Sequence, residues 1–293
     1  MIDDVKKGLS RQLQFINQDI EKEVSPGVMW QIQEYVNTHW PFDSWSEGII
    51  YKVPVKVDWS IKYFLVAKKR YDHNISKEFA NHKYISNILD KNLDFKKDVD
   101  IPKLYGKFDD ATENEAYIIM DFIQGKTLFA KLVETICDTK VENDKDAEKK
   151  LREFVFEKTW VVQPQFADLY AFLKKYVQQN VKLFSYKEGV ALKYALRQFI
   201  NHIHQNWFYH RDIGNNWRNI MFGDDWKIYI IDFGMSIITN KWGNLNPEES
   251  KDVYSFTKEG NIEKYFAHDE AILEIIETLT LMPPKKDSRE LNY

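Results

Sequence analysis

Apolar positions change their period several times along the chain, and each change marks a new element. Leu9, Leu13, Ile16 and Ile20 recur at helical spacing ahead of a break at Ser25-Pro26-Gly27, so residues 1 to 40 predict a helical N-terminal extension in two pieces. GIIYKVPVKV and IKYFLVAKK, between Trp45 and Lys69, are rich in β-branched and aromatic residues and flank a polar corner at Asp58 to Ser60. That texture predicts two antiparallel strands. Phe79, Ile85, Ile88 and Leu89 then share one face of a helix over 75 to 89, with Ser76 placed to cap it. Strand texture returns in LYGKF (104 to 108) and AYIIMDFI (116 to 123), on either side of the turn-forming DDATENE. Beyond Gln124-Gly125 the pattern is mostly helical. The charges between Asp138 and Lys158 predict a solvated helix face behind a stripe of Leu151, Phe154 and Val155, and NIMF and WKIYIIDF form a second strand cluster over 219 to 233.

Composition narrows the class. With 9 Trp, 16 Tyr and 19 Phe against 11 Gly and 8 Pro in 293 residues, the chain has the means to build a folded core and does not fit a disordered or collagenous class. A formal net charge of −4 supplies no global basic field for nucleic acid or an anionic membrane. The many aromatics therefore read as core rather than as a base-stacking stripe, and no nucleic-acid partner is expected. Cys137 is the single cysteine, which excludes an internal disulfide and a cysteine zinc site. No apolar run approaches the ~18 residues of a membrane span. The N-terminus has no secretory signal pattern, so the expected location is cytoplasmic, or the host cytosol for a viral or secreted effector. His202 and His204, two apart on a helix, point away from each other and read as ordinary helix histidines.

The chemistry concentrates in YHRDIGNNWRNIMF (209 to 222) and IYIIDFG (228 to 234). Singly, Asp212 reads as a cap, Asn219 as a turn residue and Asp232 as a strand-end Asp. Their joint order is that of a phosphoryl-transfer site. One carboxylate must orient the acceptor hydroxyl, and oxygen ligands must hold Mg²⁺ against a triphosphate. Asp212 suits the first task. Asn219 and Asp232 end a loop and a strand of one hairpin, so they can converge on a metal.

HRD, Asn219 and DFG in this order resemble the protein-kinase superfamily, in a compact atypical form of bacterial or viral type with no APE triplet. The resemblance spans about 45 to 125 and 189 to 256. It implies an α+β, two-lobed kinase-like fold with ATP and Mg²⁺ between the lobes: residues 41 to 123 as a small antiparallel β lobe with one helix, and 124 to 293 as a larger helical lobe with a helical insert at about 130 to 188. VAKK at 66 to 69 matches the third-strand pattern, which makes Lys69 the phosphate-binding lysine and Ala67 the small residue beside the base; a bulge would exchange Lys69 for Lys68. Glu78, nine residues on, is the acid available to pair with Lys69, while another register would put His82 there. Of the glycine-rich loop only Gly48 is kept, with Asp43 and Trp45 at the earlier glycine positions. YIIMDFIQG matches the hinge, with Met120 at the back of the nucleotide pocket and the backbone of Asp121 and Ile123 pairing with adenine.

The catalytic loop, seven residues from Asp212 to Asn219, is two longer than the family's pattern. Gly214 stands where many serine kinases carry Lys. Arg218 is the candidate to neutralise transferring phosphate, or else a surface Arg. SKDVYSF at 250 to 256 resembles the helix whose Asp braces the catalytic loop, which would be Asp252. The resemblance implies an ATP- and Mg²⁺-dependent serine/threonine protein kinase acting on a protein substrate. A kinase for a small hydroxyl-bearing acceptor (sugar, antibiotic or lipid headgroup) and a pseudokinase scaffold binding a partner through 1 to 40 or 130 to 188 stay open beside it.

Overall fold

The computed structural model describes residues 15–20, 24–45, 48–57, 59–70, 75–91, 97–110, 115–162, 164–239 and 262–282. The fold is α+β with mainly antiparallel sheets. The chain divides into two compact units, one of residues 1–87 and 102–123, the other of residues 88–101 and 124–293.

The first unit is built on a six-stranded antiparallel sheet in the order β1 (Phe15–Ile20), β6 (Leu104–Asp110), β7 (Glu115–Asp121), β4 (Ser60–Arg70), β3 (Gly48–Val57) and β2 (Asp43–Trp45). The β3–β4 hairpin expected from the sequence lies within it, with Tyr51 opposite Val66 and Val53 opposite Phe64. Helix α1 (Pro26–Thr38) starts where Pro26 can give up its N–H without loss, and the Ser25 hydroxyl accepts from Val28 N. Its Val28, Met29, Ile32 and Val36 bury against Val53, Val55, Phe64, Val66 and Phe108 of the sheet. Ile32 is fully buried, worth about 2 kcal/mol of apolar transfer.

The expectation of a helical extension over 1 to 40 is corrected here. Phe15–Ile20 is an edge strand paired with β6, Gln18 opposite Phe108, and α1 belongs to the unit's core. Leu9 and Leu13 lie outside the described residues. Ile16 and Ile20, the last two members of the helical-looking stripe, fall in this strand, which is selected by its partner's open edge, a tertiary choice that overrides local period. Helix α2 (Ile75–Asp90) packs Ile75 and Phe79 against Leu104, Ala116, Ile118 and Met120. Ser76 lies inside α2, where its hydroxyl accepts from Lys107 Nζ at 2.7 Å, so it is not the cap.

The second unit carries a four-stranded sheet in the order β5 (Val99–Asp100), β11 (Ile228–Ile230), β10 (Ile220–Gly223) and β8 (Gly125–Thr127), with only β5 and β11 parallel. Gly125 has φ 153°, and a Cβ there would lie 2.1 Å from the Phe222 carbonyl oxygen, so the close approach of β8 to β10 requires glycine. Helices α3 (Leu128–Cys137), α4 (Asp144–Thr159), α5 (Phe166–Asn180), α6 (Tyr186–Gln205) and α7 (Ile262–Thr278) complete it. Thr127 caps α3, Asn143 caps α4, and Ser185 with Glu188 forms a capping box at α6. A two-stranded ladder joins β9 (Phe208–Tyr209) to β12 (Ile237–Ile238). Among the described residues no helix is long and apolar enough to cross a membrane.

Candidate functional site

The site lies in the second unit and grows out of the β10–β11 hairpin. Ile220 pairs with Ile230, and Ile231 N donates to Asn219 O at 3.0 Å, so the ladder carries one residue past each strand. Asn219, ending a 3-10 turn over Trp217–Asn219, and Asp232, two residues beyond β11, therefore come to the same end of the hairpin. Asp232 is bent into the left-handed region at φ 61°, and its Oδ1 accepts from Gly234 N at 3.2 Å.

Asp212 joins them from the loop after β9. Asn219 Nδ2 donates to Asp212 Oδ2 at 2.9 Å and also reaches the Asp212 carbonyl at 3.4 Å. Burial pushes the Asp212 carboxyl above its ordinary range, and the nearby charge of Asp232 adds to the rise, against the lowering effect of His210 and the amides of Asn216 and Asn219. A carboxylate in this setting is a better proton acceptor than a solvated one.

The backbone of the loop is held from α7. Asp269, fully buried, accepts from His210 N at 2.9 Å and His204 Nε2 at 2.9 Å through Oδ2, and from Arg211 N at 2.6 Å through Oδ1. His210 Nε2 donates to Ile231 O at 3.0 Å, and its ring meets Phe233 at 5.2 Å, so one imidazole links the Asp212 loop to the strand leading into Asp232. The enlarged stretch after Asp212 also rests on α7: a Cβ on Gly214 would lie 2.4 Å from His268 O, and the Asn215 amide meets His268 Nδ1 at 2.8 Å.

Among the described residues the carboxylate that holds the loop backbone is Asp269; Asp252, expected in that role, lies outside them. Sequence reasoning missed Asp269 because an Asp in HDEAIL, 57 positions beyond Asp212, has no local signal; His204, six residues before His210, is its partner and was read only as a helix histidine. Arg218 is not an open surface arginine. Its Nη2 donates to Glu148 Oε2 at 2.9 Å, and its guanidinium lies 4.6 and 4.5 Å from the ring centres of Phe129 and Phe166. The charges of α4 are accordingly not all a solvated face.

In the first unit, Lys69 sits in β4 opposite Gly48 of β3 and Ala116 of β7; across the β2–β3 ladder Trp45 pairs with Gly48 and Asp43 with Ile50, and the side chains of Asp43, Trp45 and Lys69 lie outside the described part of the structure. Ala67, two residues before Lys69 in the strand, is buried between Ile50 and Ile118. Glu78 lies on the buried face of α2, 6 % exposed. His82 is anchored elsewhere: its Nε2 meets Pro102 O at 2.7 Å, and burial pushes its pKa down to about 4, which leaves a neutral ring donating to that carbonyl. Met120 is buried opposite Leu65, Asp121 N donates to Lys103 O at 2.9 Å, and Ile123 ends the unit. The Asp121 carboxylate accepts from Tyr105 Oη at 2.9 Å and pairs with Lys62 at 3.2 Å.

As a donor set, the site offers hard oxygens. With Nδ2 of Asn219 committed to Asp212, its Oδ1 is the atom left to meet a cation, and the Asp232 carboxylate is the other hard donor at this end of the hairpin. Among the described residues no group of three or more His, Cys, Asp or Glu could hold a metal by itself. Such a set fits Mg²⁺, which keeps waters and takes further ligands from substrate phosphates, better than it fits zinc or calcium. No protein-family model matches the chain, and no curated protein shows significant similarity to it.

Proposed function

We propose that this chain is a phosphotransferase of kinase-like, two-lobed fold that moves the γ-phosphoryl group of ATP, with Mg²⁺, to a hydroxyl. The observation that carries the reading is Asp212 fixed by the Asn219 amide beside Asp232, on a loop whose backbone Asp269 holds. Asp212 orients the acceptor hydroxyl and takes its proton; burial suits it to that task. Asn219 and Asp232 would hold Mg²⁺, which supplies charge neutralisation at the phosphates. On the resemblance, Lys69 binds the α and β phosphates, Glu78 positions Lys69, Gly48 belongs to the phosphate-covering loop, and Ala67, Met120, Asp121 and Ile123 serve the base.

The acceptor proposed first is a protein serine or threonine. A small hydroxyl-bearing acceptor is the second reading, favoured by the bonds that α4 and α5 make to the loop bearing Asp212, through Glu148 to Arg218 and through Tyr170 to Trp217. The test is transfer of labelled γ-phosphate from ATP across protein and small-molecule panels. Label on protein supports the first acceptor, label on a small product the second, and label on neither, with ATP bound, favours a binding scaffold.

A further inference from the structure

Glu148 lies in the second turn of α4, 70 residues before Arg218, yet the two side chains form one cluster. Glu148 Oε2 accepts from Arg218 Nη2 at 2.9 Å, and its Oε1 accepts from Arg152 Nη2 at 2.7 Å and Nε at 3.2 Å. Arg152 in turn donates through Nη1 to Pro164 O, which ties in the α4–α5 connection. Burial alone would raise the Glu148 carboxyl, but the hydrogen bonds from Arg152 and Arg218 outweigh it and hold Glu148 below the usual carboxylate range, so it stays charged. The Phe129 and Phe166 rings engage the Arg218 guanidinium as cation–π partners.

One residue earlier, α5 makes a second attachment. Trp217 N donates to Tyr170 Oη at 2.6 Å, the two rings are 5.1 Å apart, and Trp217 is 1 % exposed. Consecutive residues 217 and 218 are thus fastened to two helices, and the next residue is Asn219, whose amide fixes the Asp212 carboxylate. Arg218 cannot swing toward a phosphate without leaving a carboxylate and two aromatic faces, so its charge is spent on holding the loop.

We infer that Glu148 is a positioning residue: through Arg218, and with Tyr170 as a second support at Trp217, it sets Asn219 and hence Asp212 in place. This inference rests on the phosphotransferase reading for its effect on rate, and on the loop's geometry alone for its effect on order. Small displacements of a positioned group cost large factors in rate, whereas nucleotide affinity drawn from other residues is spared.

The experiment is a double-mutant cycle in the full chain with Glu148→Gln, Arg218→Gln and the pair, alongside Tyr170→Phe. It reads kcat, the KM for ATP, and hydrogen exchange at the Trp217 and Arg218 amides. Each single change is expected to lower kcat about tenfold or more with the KM for ATP within about twofold, and to speed exchange at the Trp217 amide about tenfold, while Phe199 and Ile203 of α6 keep their protection. The pair should be no worse than the poorer single. Natural kcat and exchange in Glu148→Gln would overturn the inference. So would a much larger loss in Arg218→Gln with additive effects in the pair, which would place Arg218 on the phosphate. If the natural chain transfers no phosphate, the functional reading fails, and the exchange data still decide whether Glu148 and Tyr170 order the loop.

Discussion

The carboxylate of Asp269 holds Arg211 in a left-handed backbone conformation: the Arg211 N–H donates to Asp269 Oδ1 at 2.6 Å, and φ of Arg211 is 70°. A side chain other than Gly, Asn or Asp at such a φ costs on the order of 1–2 kcal/mol, so the bend persists because α7 compensates it. The bend is what turns the chain from the buried Tyr209 and His210 toward Asp212. Asp269→Ala leaves two backbone amides and His204 Nε2 without their acceptor in a dry interior. It should lower stability by about 3 kcal/mol, read as a fall in the urea midpoint. An unchanged midpoint would show that the loop does not depend on this brace.

Asp212 carries a stability cost at neutral pH. Its folded pKa is raised, so the folded state binds its proton more tightly than the unfolded chain does. The favourable contribution is present below the ordinary carboxylate pKa and is lost as pH rises through the raised value. Asp212→Asn should therefore be more stable than the natural chain at pH 7, with the gain shrinking as the pH is lowered toward the ordinary carboxylate pKa. Thermal melts of both proteins across that range check it; a less stable variant at pH 7 would contradict the assigned cause.

His82 works in the opposite sense. Its folded pKa is about 4 against 6.5 in the unfolded chain, so protons bind preferentially to the unfolded state between those values. Stability present above pH 6.5 is lost progressively as pH falls toward 4, by about 3 kcal/mol in all. Denaturant unfolding at pH 7 and pH 4 should show that component in the natural chain and not in His82→Gln.

Gly214 tests the packing of the enlarged loop on α7. A methyl group there meets His268 O at 2.4 Å and the Ala271 Cβ at 2.6 Å, both with little room to yield. Gly214→Ala should cost about 2 kcal/mol and lower the melting temperature, whereas Gly27→Ala, whose nearest neighbour would be Ser25 Oγ at 3.9 Å, should be neutral or slightly stabilising. Equal melting temperatures for the two variants would contradict the packing.

Elements whose partners are close in sequence were legible from period and turn chemistry. The β3–β4 hairpin, the β6–β7 pair and the β10–β11 hairpin all have short polar connections, and alternation alone fixes their faces. The convergence of Asn219 and Asp232 followed from the same local logic, since a short hairpin must return its two ends to one place, whereas the arrival of Asp212 from the loop after β9 did not. Phe15–Ile20 was not legible, because its strand character comes from the edge of β6, more than 80 residues away. Asp269, Glu148 and Tyr170 escaped for the same reason: each acts on the loop from a helix whose own pattern reveals an inward face and nothing about what that face meets. His204 and Arg218 were visible as residues, but their partners were not.

The central claim is tested most directly by Mg²⁺-dependent transfer of labelled γ-phosphate from ATP, comparing the natural chain with Asp212→Ala and Asp232→Ala under conditions where all three are folded. The account predicts transfer by the natural chain, a loss of about 10³-fold in Asp212→Ala, and a comparable loss in Asp232→Ala that excess Mg²⁺ does not fully restore. Transfer at the natural rate in both variants, or none by the natural chain with any acceptor, would contradict it.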